Sequence, residues 1–294
     1  MSRNQDRLGL GEDNTPPQDE SPPAPAMAGP SSPSPSGGSF NWSVPTEFVT
    51  LPSEGLFYPE GSTLHNRKHL EIRFMTAKEE DILTSRPLLK AGLAIDRMLE
   101  NVLEDKSIDV GELLIGDKNA LLVAARCTGY GGDYEAKIAC PACDTMAETL
   151  FDVSEPPIVN FRKAMEESGI ELTDTGTFLI LLPMSNTSVE CRFLTGADEL
   201  KMFKESERKA KRKIEGGTMT DAFRTYIVSV NGDSSGATIA AFVQGVPARD
   251  ARALRRIYSE VVPNIDLKQY FDCTTCGYQA DLEVPLGVDF LWSQ

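Results

Sequence analysis

The sequence contains few of the residues on which catalysis usually depends. Its 294 residues include two histidines, His65 and His69, which lie four positions apart in a polar segment. A Ser-His-Asp or Cys-His site needs a histidine base. The sequence has no phosphate-binding Gly-x-x-x-x-Gly-Lys, dinucleotide-binding Gly-x-Gly-x-x-Gly or zinc-protease His-Glu-x-x-His motif. We therefore expect no enzymatic activity.

Positive charge and long apolar runs are also scarce. The chain has 29 Lys and Arg against 44 Asp and Glu, a net charge of -15. This balance opposes general binding to nucleic acid and favours protein partners. No run approaches the roughly 20 apolar residues of a membrane span, and the N-terminus has neither an apolar signal core nor a twin-arginine pattern. We expect a chain made in a reducing cytoplasm, without a membrane span.

Four of the six cysteines form two Cys-x-x-Cys motifs, the strongest chemical signal in the chain. The motifs are Cys140-Pro-Ala-Cys143 and Cys273-Thr-Thr-Cys276, and each lies between two strand-like runs. Two intervening residues let both sulfurs turn toward one metal ion, so together the motifs supply four thiolates for a structural zinc ion. Two hairpins with such knuckles are the layout of a zinc ribbon, here with its halves separated by a long insertion.

Other interpretations of these cysteines remain open at this point. They include two disulfides, redox-active pairs, unrelated buried thiols and an iron centre of the same geometry. A closed four-thiolate site offers no open position for chemistry, so we expect the metal to stabilise the fold. Cys127 and Cys191 have no nearby thiol in the sequence and are typical of small buried apolar residues.

The predicted fold class is α+β: a helical N-terminal unit and a zinc-ribbon-like β-subdomain that is split by a long α/β insertion. Residues 1–40 hold eight of the 19 prolines and few large apolar residues, which predicts a disordered tail. Residues 41–132 form an extended arm and a helical domain, with a capping box at Thr76-Ala-Lys-Glu79. Residues 133–154 and 267–294 are the two halves of the ribbon, and residues 155–266 form the inserted subdomain.

Two segments are candidate interaction surfaces. The apolar residues of the arm could form an assembly surface or pack on the core. The candidates for partner binding are Leu51, Leu56, Phe57 and Tyr58. Residues 199–215 contain the one strongly basic run, but glutamates interleaved at helical spacing favour a solvated helix face over a nucleic-acid site.

Several elements of the first half stand in a distinctive order. They are Leu51-Pro-Ser-Glu-Gly-Leu-Phe-Tyr58, Met75-Thr-Ala-Lys-Glu-Glu-Asp-Ile-Leu83, the run from Gly92 to Asp117, and Arg126 to Tyr130 leading into the first knuckle. In combination they resemble the T4-type baseplate protein family of contractile-tailed bacteriophages. The likeness covers residues 44–155 well and the second knuckle more loosely.

The resemblance implies a structural subunit of the baseplate hub. Such a subunit is made in the host cytoplasm, ends in the virion tail and binds other hub or tail proteins or the tape-measure protein, with a homo-oligomer as one option. One alternative is a tail-assembly chaperone that is absent from the virion. A further alternative is a zinc-ribbon regulator that binds nucleic acid through the basic run and the knuckles.

Overall fold

The computed structural model describes residues 43–213, 217–286 and 288–291. Within these ranges nine α-helices accompany small antiparallel sheets, which confirms the predicted α+β class. The tail predicted for residues 1–40 lies outside the described residues, as do Glu215 of the basic run and the last three residues of the second ribbon half.

The first half of the described chain begins with a β-hairpin and ends with another. Its strands are β1 (Thr46–Thr50), β2 (His69–Arg73), β3 (Asp133–Ala139) and β4 (Met146–Asp152). Between the hairpins lie α1 (Ala77–Leu83), α2 (Arg86–Ala91), α3 (Ala94–Val102), a 3₁₀ turn (Val110–Glu112) and α4 (Ile115–Tyr130). Strands β1 and β2 pair antiparallel, as do β3 and β4.

The second half contains one helix before its sheet, four helices around and after the sheet, and a final hairpin followed by a 3₁₀ turn. After α5 (Phe161–Ser168), a three-stranded sheet has the order β5 (Phe178–Leu181), β6 (Ser188–Cys191), β7 (Ile227–Val230). The helices are α6 (Gly196–Lys211), α7 (Thr218–Tyr226), α8 (Gly236–Gly245) and α9 (Ala248–Val261). The last elements are β8 (Lys268–Asp272), β9 (Gln279–Glu283) and a 3₁₀ turn (Val288–Leu291).

Capping residues set the start of two helices. The predicted capping box of α1 is confirmed, because the Glu79 carboxylate accepts the Thr76 backbone N–H at 2.9 Å. Helix α6 begins with a second capping box, in which Asp198 accepts the Thr195 N–H at 3.0 Å. Each box satisfies backbone donors that the first helical turn leaves free.

One hydrophobic core joins the two halves. Phe57 contacts Phe161 and Phe193 edge to face, with ring centroids 5.2 and 4.6 Å apart, and Phe178 stacks on Phe193 at 4.8 Å. Helix α4 passes so close to the chain after α9 that a Cβ on Gly116 would lie 1.8 Å from the Pro263 carbonyl oxygen. Elements from both halves share this core. The predicted domain boundaries stay a prediction.

Candidate metal centre

Two β-hairpins bring together the four cysteines of the two motifs. The four Sγ atoms lie within 4.8 Å of one another. Cys140 Sγ is 3.7 Å from Cys276 Sγ, and Cys143 Sγ is 3.8 Å from Cys273 Sγ. A zinc ion bound to four thiolates at about 2.3 Å in a tetrahedron separates the sulfurs by about 3.8 Å. The spacing of the sulfurs therefore fits one tetrahedral metal ion.

The same distances do not fit the disulfide alternative. Disulfide sulfurs lie about 2.05 Å apart. All six cysteines fall within the described ranges, and all are free thiols. The motifs thus meet as four separate thiols, which is the form that binds metal.

The two knuckles share the same backbone hydrogen bonds. The Cys140 N–H donates to the Thr145 carbonyl oxygen at 2.9 Å, and the Asp144 N–H donates to the Cys140 carbonyl oxygen at 2.8 Å. The equivalent bonds at Cys273 have the same two lengths. Asp144 and Gly277, each directly after the second cysteine of its motif, have φ of +57° and +70°. This left-handed residue reverses the chain and leaves both sulfurs on one side of the turn.

The protein covers one side of the cluster and leaves the other open. Cys140 and Cys273 are each 1% exposed, whereas Cys143 and Cys276 are exposed. Phe271, which is fully buried, packs against the two buried cysteines. The partly buried residues that pack on this cluster are Ala147, Tyr278 and Leu282. A metal ion here would be held against a small apolar layer that is separate from the main core.

Hydrogen bonds favour thiolates at two of the four positions. The hydroxyl and the backbone N–H of Thr145 lower the pKa of the Cys143 thiol to about 6. Backbone N–H groups of its own knuckle, that of Cys276 first, lower the pKa of Cys273. The Tyr278 N–H acts in the same direction on Cys276, but desolvation and the adjacent thiols outweigh it and raise the pKa of Cys276 to about 12. Adjacent thiols ionise together only when a cation balances their charge.

The two hairpins are also joined directly, without metal. The Asp152 N–H donates to Gln269 Oε1 at 3.0 Å, and Gln269 Nε2 donates back to the Asp152 carbonyl oxygen. Close by, the Asp266 N–H donates to the Pro157 carbonyl oxygen at 2.7 Å. These bonds connect the two knuckle hairpins at a point away from the cysteines.

Three of the four residues predicted for partner binding lie in the core. Leu51 is fully buried, and Phe57 and Tyr58 are 8% and 5% exposed. Leu56 is half-buried against the same core. The packing role that the sequence left open is therefore the one that the structure shows for Leu51, Phe57 and Tyr58. Binding of a partner through these residues stays a prediction.

A buried polar network centred on Asp117 is not predicted from the sequence. This carboxylate is inaccessible to solvent and accepts the Ser53 N–H and hydroxyl at 2.9 and 2.5 Å and the Tyr58 hydroxyl at 2.6 Å. The Leu114 N–H donates to the Tyr58 oxygen at 2.9 Å. Burial raises the pKa of Asp117, and the hydrogen bonds from Ser53 and Tyr58 oppose that rise. The network ties the Leu-Pro-Ser arm to the start of α4.

The basic run forms the exposed side of α6. Of its interleaved glutamates, Glu207 pairs with Lys211 at 3.2 Å, four positions along the helix, as the sequence predicts. Glu199 instead pairs with Lys118 of α4 at 2.7 Å. Lys209 pairs with Asp221 of α7. Ion pairs therefore connect α6 to two other helices as well as along its own face.

The described residues offer no second group of three or more residues placed to bind a metal, and no helix there is long and apolar enough to cross a membrane. The two histidines contact neighbouring turn and strand atoms. His65 Nδ1 lies 2.7 Å from the Tyr58 carbonyl oxygen, and His69 Nδ1 lies 3.2 Å from the Thr50 hydroxyl. The cysteine cluster is accordingly the main candidate site.

Comparison with curated proteins and with solved structures gave no match. A family model described as T4 bacteriophage base plate protein matches residues 59–292. That range includes both knuckles and the nine helices of the described residues, so it extends the likeness from the first half over the second. The chain belongs to the family of T4 bacteriophage base plate proteins.

Proposed function

We propose that the chain is a structural component of the phage baseplate hub that holds one structural zinc ion and takes part in tail assembly. Membership of the base plate family supports the location. The four-sulfur cluster carries the structural role, because it joins hairpins that lie 133 positions apart in the sequence. In this role the chain acts by binding other proteins and not by catalysis, and it passes from the host cytoplasm into the virion tail.

The proposed zinc stabilises the fold through its four protein ligands. The ligands are Cys140, Cys143, Cys273 and Cys276. With all four positions filled by sulfur, the ion has no place for substrate or water, which is typical of structural zinc. Thiolate ligands suit zinc, and iron in a four-sulfur site has the same geometry, so metal analysis of the purified chain decides between them.

The proposed partners are other hub or tail proteins, including the tape-measure protein. Exposed apolar side chains on the ribbon hairpins support protein partners: Met146, Leu150 and Tyr270 are 60%, 67% and 60% exposed. Side chains of this kind are common at protein interfaces. The net charge of -15 supports protein over nucleic acid as the partner.

Metal analysis tests the zinc proposal. The purified chain should retain one zinc per molecule after extensive dialysis, as measured by elemental mass spectrometry. Cys273→Ser should release the metal, whereas Cys127→Ser, outside the cluster, should retain it. Zinc retained by Cys273→Ser, or no metal in the unmodified chain, would contradict the proposed site.

Quantitative mass spectrometry of purified mature particles tests the hub proposal. A structural subunit should be present at a fixed low ratio to known baseplate proteins. A chain that is absent from particles but present in tail intermediates from infected cells would instead be an assembly chaperone. Salt-sensitive retention on DNA would favour the regulator alternative.

A further inference from the structure

The elements on the two sides of residues 154–176 occur in the same order, except that α2 has no counterpart and α8 lies where the first side has the 3₁₀ turn Val110–Glu112. We call residues 46–153 the N-terminal repeat and residues 177–286 the C-terminal repeat. Each begins with a hairpin, β1–β2 or β5–β6, and continues with a capped helix, α1 or α6. Each then has a helix that leads into a segment paired with its hairpin, a long helix, α4 or α9, and a knuckle hairpin, β3–β4 or β8–β9.

The third segment of the first sheet occurs in both repeats. In the C-terminal repeat, α7 leads into β7, where Val230 pairs antiparallel with Val189 of β6. In the N-terminal repeat, α3 leads into Leu103, which forms an antiparallel bridge with Ile72 of β2. The helix therefore returns the chain to the second hairpin strand in each case.

The last parts of the two repeats match with a constant offset of 133 positions. Helix α4 starts at Ile115 and α9 at Ala248, and strand β4 starts at Met146 and β9 at Gln279. The same offset relates the other matched residues, which are Asp117 and Asp250, Leu121 and Leu254, Cys140 and Cys273, and Cys143 and Cys276. Long helix and knuckle hairpin thus correspond without an insertion or a deletion.

A ten-residue match joins the first hairpin to the capped helix. The segments are Glu71-Ile-Arg-Phe-Met-Thr-Ala-Lys-Glu-Glu80 and Glu190-Cys-Arg-Phe-Leu-Thr-Gly-Ala-Asp-Glu199. Their equivalent residues make equivalent contacts. Arg73 pairs with Glu79 at 2.6 Å, and Arg192 pairs with Asp198 at 2.6 Å. In both segments the acidic residue also completes the capping box of its helix.

The long helices hold the first hairpins in the same way. Asp117 and Asp250 each occupy the third position of their helix, and both are inaccessible to solvent. Asp117 accepts the N–H of Ser53 at 2.9 Å, and Asp250 accepts the N–H groups of Met184 and Ser185 at 2.9 and 3.0 Å. These donors follow Leu-Pro in both repeats, at residues 51–52 and at residues 182–183. One carboxylate therefore anchors one hairpin end in each repeat.

We infer that the chain is a tandem duplication of one structural unit and that the metal is the clamp between the two copies. The inference about the metal rests on the zinc site proposed above. Each repeat supplies two sulfurs, and a tetrahedral thiolate site needs four. The metal site is therefore complete only when the two copies pair. Residues 154–176, which contain α5, are the covalent connection between the copies.

Contacts away from the metal also join the copies. The Ile115 N–H donates to the Leu194 carbonyl oxygen at 3.0 Å, and the Gly196 N–H donates to the Leu113 carbonyl oxygen at 2.8 Å. These bonds connect the start of α4 in one repeat with the start of α6 in the other. The copies should therefore stay together when the connection between them is cut.

Cleavage of the full chain at a chosen turn tests this arrangement. A protease recognition sequence inserted between Asp174 and Thr175, both exposed, allows a cut between the repeats. The matched control has the same insertion between Gly232 and Asp233, also exposed, which places the cut inside the C-terminal repeat. Each cut protein is unfolded with reductant and refolded with zinc, and native mass spectrometry measures the recovered complex and its metal.

The cut between the repeats should regenerate a one-to-one complex with one zinc, and the cut within a repeat should recover about ten-fold less, because structural units fold as wholes. Chelation should weaken the first complex. Equal recovery from both cuts, or failure of the first cut alone, would overturn the duplication. If the uncut chain holds no zinc, the proposed zinc site and the proposed clamp are both wrong. The duplication is then tested by comparing the recovery of the two cut proteins without metal.

Discussion

The two repeats are alike around the four clustered cysteines and different where each closes its first hairpin. Long helix and knuckle hairpin keep one offset from Ile115 through Cys143 to the start of β4. The hairpin connections do not match: residues 51–68 join β1 to β2, whereas residues 182–187 join β5 to β6. A tetrahedral site fixes the position of each sulfur, but a connection can change length as long as its ends are anchored.

The longer connection, residues 51–68, contributes side chains to the core. It places Tyr58 and Ser53 on the Asp117 carboxylate and buries Leu51 and Leu64 completely. The short connection offers two backbone N–H groups to Asp250 and leaves Met184 59% exposed. The anchoring carboxylate thus accepts side-chain hydroxyl groups as well as a backbone N–H group in one repeat, and two backbone N–H groups of the connection in the other.

Removing a buried cysteine from either repeat should have the largest effect. Cys140→Ser and Cys273→Ser each leave three thiolates, so both should lose zinc. We expect each loss to exceed the about 2–5 kcal/mol of a core leucine truncation, since structural zinc contributes about 10–16 kcal/mol in small zinc-finger peptides. Urea unfolding with metal analysis measures both effects.

Equal losses from the two serine variants would show that neither half-site suffices alone. Cys191→Ser is a suitable control, because Cys191 is buried but lies outside the cluster. A Cys140→Ser or Cys273→Ser variant that keeps zinc and an unchanged midpoint of unfolding would contradict the shared site.

The sequence predicted the features that depend on local spacing. The knuckles were recognisable because two residues between cysteines set the turn, and the Thr76 capping box because its partners are three positions apart. The duplication was not found, because its matches are short and separated by connections of different length. The burial of Phe57 and Tyr58 depends on Phe161, Phe193 and Asp117, which are distant in sequence.

Truncating equivalent leucines in the long helices should give the next largest effect. Leu121 of α4 and Leu254 of α9 are both fully buried. Leu121→Ala and Leu254→Ala should each cost about 2–5 kcal/mol, and similar values would extend the equivalence of the repeats to packing. The exposed Leu150 provides the control, whose alanine variant should change stability by less than about 0.5 kcal/mol. A negligible loss at only one of the two helices would limit the equivalence to the backbone.

Neutralising the acid of each capping box should destabilise the two repeats to different degrees. The Glu79 side chain is 0% exposed beside Arg73 at 18%, whereas Asp198 is 14% exposed beside Arg192 at 37%. Glu79→Gln should therefore cost about 3 kcal/mol, and Asp198→Asn about 1 kcal/mol, because solvent screens the more exposed pair. Thermal unfolding measures both, with the exposed Asp81→Asn as control. A larger loss at Asp198 would reverse this ranking.

The smallest expected effect is the most specific, and it is the pH dependence of the two anchoring carboxylates. Burial raises the pKa of Asp117 above its ordinary value of about 3.9. A raised folded-state pKa contributes stability that is present below the unfolded pKa and is lost as pH rises through the folded value. The stability of the unmodified chain relative to Asp117→Asn should therefore increase as pH falls from neutrality toward about 4.

Asp250 should show the opposite sign. Burial opposes its ionisation, but the N–H groups of Met184 and Ser185 outweigh it and lower the pKa of Asp250. Its contribution is present above about pH 4 and is lost as pH falls through the lowered value, so the unmodified chain should lose stability relative to Asp250→Asn in acid. Urea midpoints between about pH 7 and pH 3 measure both differences. Slopes of the same sign would mean that the long and short connections stabilise the same charge state, and the contrast between the repeats would then lie in length alone.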